Sequence, residues 1–216
     1  MSDQFTLDVV QASEIKHAVE RNGGTNADLK MLSSGDMFAR ILPILRGYGE
    51  VVVTLLQLVG TLVIPATKTQ FVAKDKFKLK KDGGICYYLG DNFKSWFLEK
   101  IERAITEKTL CHHKLWQSSF DAPIIAGLGG ETKVETTLTE MFSLMEKQKN
   151  GESGVLLTNG YANIFYIEDV GGILRAVYVS WSGDGWYVIA DSVGTPYRWI
   201  GGGQVFSRNP LKTKTA

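Results

Sequence analysis

Apolar positions along the chain change period several times, and each change predicts an element. Ile15, Ala18 and Val19 fall at i, i+3 and i+4 ahead of Asn22-Gly23-Gly24, which predicts a short helix over 13–22. Thr25 or Asn26 caps a second short turn through Leu29 and Leu32. Met37, Phe38, Ile41, Leu42 and Leu45 form a third helical stripe. Pro43 lies inside it and lacks an N–H, so a kink or an early stop is expected. From Glu50 the period shortens. Val51 to Leu56 reads as a strand, with a helix as the competing reading; Gly60 breaks it, and Leu62-Val63-Ile64 carries it on to Pro65.

In the middle of the chain Phe77 and Leu79 alternate with Lys76, Lys78 and Lys80. The turn Lys81-Asp82-Gly83-Gly84 follows and Ile85 to Leu89 returns, which predicts a hairpin with a lysine-lined wet face. Asp91 or Asn92 caps the next helix, where Phe93, Trp96, Phe97, Ile101 and Ile105 share one apolar face. Residues 107–135 show no clear period. Thr137 and Glu140 have the spacing of a capping box, in which hydroxyl and carboxylate each satisfy an orphan N–H. Leu138, Met141, Phe142 and Met145 are the buried stripe of that helix, and Asn150-Gly151 ends it.

The last third reads as sheet, with strands over 155–158, 164–167, 174–181, 186–190 and 204–206. Asn159-Gly160, Gly171-Gly172 and Ser182-Gly183-Asp184-Gly185 are the turns between the earlier ones. Parallel strands need a long crossover, so these short connections force antiparallel pairing. The expected fold is α+β. An antiparallel C-terminal meander is packed by amphipathic helices in a domain over 67–210. A small N-terminal helical-plus-strand module precedes it over 1–66, the boundary falling at Pro65-Ala66-Thr67-Lys68, and a flexible tail follows over 211–216.

Composition narrows this little. Of 216 residues, 44% are hydrophobic and 22% charged, ordinary for a chain that buries its own core. Basic and acidic side chains nearly balance, 24 against 23, so the basic excess of a duplex-binding domain is absent. No basic-then-apolar leader opens the chain, and no apolar run is long enough to span a bilayer, so a cytoplasmic setting without a membrane partner is expected. In that setting Cys86 and Cys111 are free thiols.

Cys111-His112-His113 is the densest reactive cluster. Neighbouring histidines point to opposite faces of a strand, and the paired spacings of a zinc site do not occur, so neither metal nor cofactor is expected. Cys86 or Cys111 with His112 or His113, and Asp121 as the acid, has the order of a thiol hydrolase or transferase. The plainer reading is a core thiol with partly exposed histidines. Gly127-Leu128-Gly129-Gly130 lacks the Lys-Ser/Thr pair of a phosphate loop, and Gly183-Asp184-Gly185 lacks the further acids of a calcium loop.

Trp181, Trp186, Tyr187, Tyr197 and Trp199 crowd the end of the chain. Aromatic residues pack well across strands, and they also form platforms for sugars, bases or protein partners. Trp186 and Tyr187 are adjacent and must face opposite ways, so one of them belongs to the face away from the core. The lysines between Lys74 and Lys81, interleaved with Phe77 and preceded by Phe71, suit either a solvated sheet edge or a single-strand nucleic-acid strip.

Three stretches resemble a loosely related group of uncharacterised bacterial proteins. They are Ala27-Asp28-Leu29-Lys30 through Arg46-Gly47 and Glu50, Tyr88-Leu89-Gly90-Asp91-Asn92-Phe93-Lys94-Ser95-Trp96-Phe97, and Trp181-Ser182-Gly183-Asp184-Gly185-Trp186 with Val205-Phe206-Ser207-Arg208-Asn209. The resemblance implies a recurrent modular protein and assigns no functional residue. The sequence thus favours a non-catalytic intracellular binding or protein-interaction module, whose partner is a protein or a small ligand. A thiol-dependent hydrolase or transferase is the first alternative and a single-strand nucleic-acid binder the second.

Overall fold

A computed structural model describes residues 7–48, 54–195 and 198–208. The start of the strand expected from Val51, the aromatic Tyr197 and the tail over 211–216 lie outside the described residues. The chain divides between Val53 and Thr54 into two compact units.

The first unit is helical: α1 (Val9–Arg21), α2 (Asn26–Leu32) and α3 (Met37–Leu45). Asp8 with Gln11, and Thr25 with Asp28, close capping boxes on α1 and α2. Pro43 is accommodated within α3 and does not end it. None of the three helices contains a buried residue.

The second unit is built on a large sheet. Its strands are β1 (Leu56–Ile64), β3 (Cys86–Leu89), β5 (Lys108–Leu115), β6 (Glu135–Thr136), β7 (Asn163–Glu168), β8 (Leu174–Trp181), β9 (Trp186–Ser192) and β10 (Gln204–Ser207). The order across the sheet is β1-β5-β10-β7-β8-β9-β3, with β6 beside β7. A second, two-stranded sheet pairs β2 (Phe71–Val72) with β4 (Ile101–Glu102). Most pairings in the large sheet are antiparallel, and β7-β8-β9 form the middle of the expected meander, while β10 leaves it to lie between β5 and β7. Three pairings are parallel: β3 with β9, β6 with β7, and β10 with β7.

Helices cover parts of both faces of this sheet. On one face α5 (Asp91–Phe97) and α8 (Leu138–Lys147) bring Phe93, Phe97, Met141 and Phe142 against Phe165, Val177, Val188 and Phe206. On the other, α6 (Asp121–Gly127) and α7 (Glu131–Val134) bring Ile124, Leu128 and Val134 against Leu115, Ile164, Tyr166 and Val205. α8 is doubly capped. Thr137 and Glu140 form the expected box, and the buried Glu102 carboxylate accepts from the Leu138 and Thr139 N–H groups at 2.9 and 2.8 Å.

Several expectations are corrected. β1 does not belong with the N-terminal helices. It pairs with β5 from Leu56 to Ile64 around a bulge at Val59, and the two compact units divide at 53/54, whereas turn composition places the boundary at 66/67. The lysine hairpin does not form. Residues Ala73–Lys76 are the short helix α4 and Lys80–Asp82 a single 3₁₀ turn, and β3 turns away to pair parallel with β9. The chain is so tight there that a Cβ on Gly84 would lie 2.0 Å from the Lys78 carbonyl oxygen. The apolar face from Phe93 does not run on to Ile105. α5 ends at Phe97, because Ile101–Glu102 is drawn into pairing with Phe71–Val72. Residues 155–158 form no strand, since side chains supply their partners: Gln204 donates to the Val155 carbonyl, Asn163 bonds the Leu157 backbone, and the buried Gln148 bonds Leu156. Gln148 accepts from the Leu156 N–H at 2.8 Å and donates to the Leu156 carbonyl at 3.0 Å.

Candidate functional site

Face assignment follows from register. In an antiparallel pair, directly opposed residues point to the same side. Ser180 opposes Tyr187, Tyr178 opposes Ile189, and Ile164 opposes Tyr178, so these five side chains share the α6/α7 face of the sheet. Trp186, Val188 and Ala190 point the other way, into the α5/α8 core. Trp186 and Tyr187 therefore separate as adjacent strand residues must.

Toward β9 and β3 the α6/α7 face loses its cover. Tyr178, Ser180, Tyr187 and Ile189 are only half-buried. At the edge, Tyr87 and Tyr88 are 49% and 42% exposed. Consecutive strand residues normally diverge, but the register slips between Cys86 and Tyr88, and both rings lie against Tyr187. Tyr87 stacks on it at 5.3 Å between centroids and Tyr88 leans on it at 5.6 Å. Lys94 reaches over the Tyr88 ring at 5.9 Å.

At the other end of this face a cleft of about 150 Å³ opens between Tyr161, Ile164, Tyr178, Ser180, Trp199 and Ile200. It is smaller than the usual pocket for a drug-sized molecule and has room for one ring or side chain. Tyr161 closes over Gly202, where φ is +104° and a Cβ would meet the ring at 2.8 Å. Any larger residue at 202 displaces that wall. From β3 to β7 the tyrosine-lined face crosses three strand spacings, about 14 Å.

The floor beside the cleft is fixed by a buried carboxylate. Asp121 accepts from the Tyr166 hydroxyl at 2.8 Å and from the Trp199 indole N–H at 2.7 Å. Trp199 in turn meets Tyr178 edge-on at 5.1 Å. Burial, with the Asp121 charge behind it, raises the Tyr166 hydroxyl above the ordinary tyrosine range. Asp191 shares this face. Its carboxyl is held above the usual carboxylate range by burial and then by Asp121.

The sequence-derived candidates fall into separate places. Cys86 on β3 and Cys111-His112-His113 on β5 have four strands between them, so Cys86 has neither histidine as a base. Both thiols are buried, and burial pushes Cys86 up to about 12 and Cys111 above its ordinary value. His113 is fully buried, and burial lowers it to about 4, the neighbouring His112 adding to the shift and the Val205 backbone opposing it. Neither of its ring nitrogens has a partner of hydrogen-bonding geometry. Asp121 holds Tyr166 and Trp199 rather than a histidine. Among the described residues no group of three or more His, Cys, Asp or Glu side chains is arranged to hold a metal.

Of the aromatic set, the structure brings Tyr187 and Trp199 to the tyrosine-lined face. Trp186 is fully buried, donates its indole N–H to the Gln148 carbonyl at 3.0 Å and meets Trp181 edge-on at 5.3 Å. Both tryptophans belong to the opposite face. Phe71 and Phe77 of the lysine-rich stretch are core residues, Phe77 lying edge-on to Phe93 at 4.9 Å, so they offer no stacking platform. Tyr87, Tyr88, Tyr161, Tyr178 and Ser180 were not singled out by sequence. The adjacent pair Tyr87-Tyr88 beside a glycine-flanked strand start was the available signal, but only the slipped register gives both rings one side. Among the described residues, no helix is long and apolar enough to cross a membrane. In comparisons with known proteins, no family model, no curated protein and no solved structure matches this chain.

Proposed function

We propose that this protein is a non-catalytic binding protein that takes its ligand on the tyrosine-lined face running from Tyr87 and Tyr88 through Tyr187 and Ser180 to the cleft at Trp199. The observation that carries this reading is the incomplete cover of the sheet. On this part of the sheet a row of half-exposed tyrosines lies on paired strands with a ring-sized cleft at one end. Tyrosine suits such a surface, because its ring gives contact area at small entropic cost and its hydroxyl bonds to polar groups. A ligand with a flat or puckered ring and flanking hydroxyl or amide groups matches both features.

The thiol-dependent alternative draws no support from the arrangement of Cys86, Cys111 and the histidines, and the nucleic-acid alternative loses its stacking residues to the core. The test is a ligand-observed magnetic resonance screen of small ring compounds, covering monosaccharides, nucleosides and aromatic amides. Hits are expected to lose binding at least tenfold in Tyr187→Ala and to keep it in Cys86→Ala. Hits indifferent to Tyr187→Ala would overturn the assignment.

A further inference from the structure

The two edges of the large sheet are treated differently. β3 is four residues long and irregular in register. β1 is nine residues long, Leu-Gln-Leu-Val-Gly-Thr-Leu-Val-Ile, with no charge and no proline. Among the described residues β5 alone pairs with it, and no turn or loop backbone bonds to its outer side. Edge strands of soluble proteins are ordinarily blunted by charge, proline, shortness or a bulge. β1 has only the last of these. Val59 is the extra residue between Leu58 and Gly60, and beyond it Gly60 to Ile64 is regular. Along that regular stretch Val63 is 52% exposed and Thr61 is exposed beside it.

We propose that the Gly60–Ile64 segment of β1 is a pairing edge for a second copy of this chain, antiparallel about a two-fold axis at Leu62, so that two sheets join into one. The sequence is self-complementary in that register. Leu62 opposes Leu62 of the copy, Thr61 opposes Val63, and Gly60 opposes Ile64, where the missing side chain leaves the isoleucine uncrowded. A two-fold contact makes each of these pairs twice. An edge without charge has nothing with which to select a foreign strand electrostatically, and side-chain fit sets its register instead. The pairing is independent of the tyrosine-lined face and stands or falls separately from it.

The test is the mass of the full chain in solution, by sedimentation over a range of concentrations. The wild type is expected at twice the chain mass, dissociating on dilution. Thr61→Lys with Val63→Lys puts like charges directly across the junction and is expected to be monomeric. Both positions are exposed, so its melting temperature should match that of the wild-type monomer. Thr61→Lys with Val63→Glu sets opposite charges across the same junction and is expected to remain dimeric. A wild type that is monomeric at every concentration overturns the proposal whatever the variants do. A dimer that survives the two lysines places the contact elsewhere, and loss of the dimer in both double variants refutes the register.

Discussion

At neutral pH the Cys86 thiol keeps its proton, because burial raises its pKa to about 12. The thiolate is the reactive form, so Cys86 and the buried Cys111 should alkylate far more slowly in the folded protein than in denaturant, as read by peptide mass. The same shift acts on stability. An unfolded thiol ionises near pH ~8.5, while folded Cys86 stays protonated to about 12, so stability should fall as pH rises through that window. His113 acts at the other end. An unfolded imidazole gains a proton below pH ~6.5 and the folded one only near 4, so acidification between those values favours unfolding. His113→Leu should flatten the acid limb of a urea-midpoint-against-pH profile without lowering the midpoint at pH 7, because it replaces a buried ring whose nitrogens lack partners. The sequence showed these residues and their order. It did not show that strand order sets four strands between Cys86 and the histidines, since that distance depends on pairing rather than on spacing.

Among the elements, the ones legible in sequence were those whose signals are local. The Thr137/Glu140 box, the meander β7-β8-β9 and the Thr25 cap each rest on neighbours within a few residues. The misread ones were decided by distant partners. β5 is buried on both faces at Leu110, Cys111, His113 and Leu115, which erases the alternation that marks a half-exposed strand. α5 stops without a glycine or proline signal because Glu102 is needed at the N-terminus of α8. That role has a measurable consequence. Thr137→Ala removes an ordinary cap and should cost about 1 kcal/mol. Glu102→Ala leaves two buried N–H groups and the Thr139 hydroxyl, bonded at 2.6 Å, without their acceptor, and should cost on the order of 2–4 kcal/mol. Urea unfolding of both variants ranks them, and equal costs would contradict the long-range cap.

At the scale of the whole molecule, α+β class and a mostly antiparallel sheet were readable, whereas the parallel pairings and the position of the division were not. Turn composition at Pro65-Ala66 drew the boundary past β1, although β1 is tied to β5 from Leu56 to Ile64. A chain beginning at Thr54 should therefore unfold cooperatively, with both sheet cores intact. One beginning at Thr67 strips β1 from β5 and should lose that cooperativity or melt well below the longer piece. Calorimetry of the two truncated chains distinguishes the divisions. The tyrosine-lined face also emerges only at this scale, because Tyr88, Tyr187, Tyr178 and Trp199 come from elements spread across more than a hundred residues.

The measurement that bears most directly on the proposed binding role is a backbone amide correlation map of the wild-type chain titrated with a ring-compound hit. The expected perturbations concentrate at Tyr87, Tyr88, Tyr178, Ser180 and Tyr187 and extend to the cleft at Tyr161 and Trp199. Perturbations centred instead on Cys111 to His113, or on the lysines from Lys74 to Lys81, would contradict it.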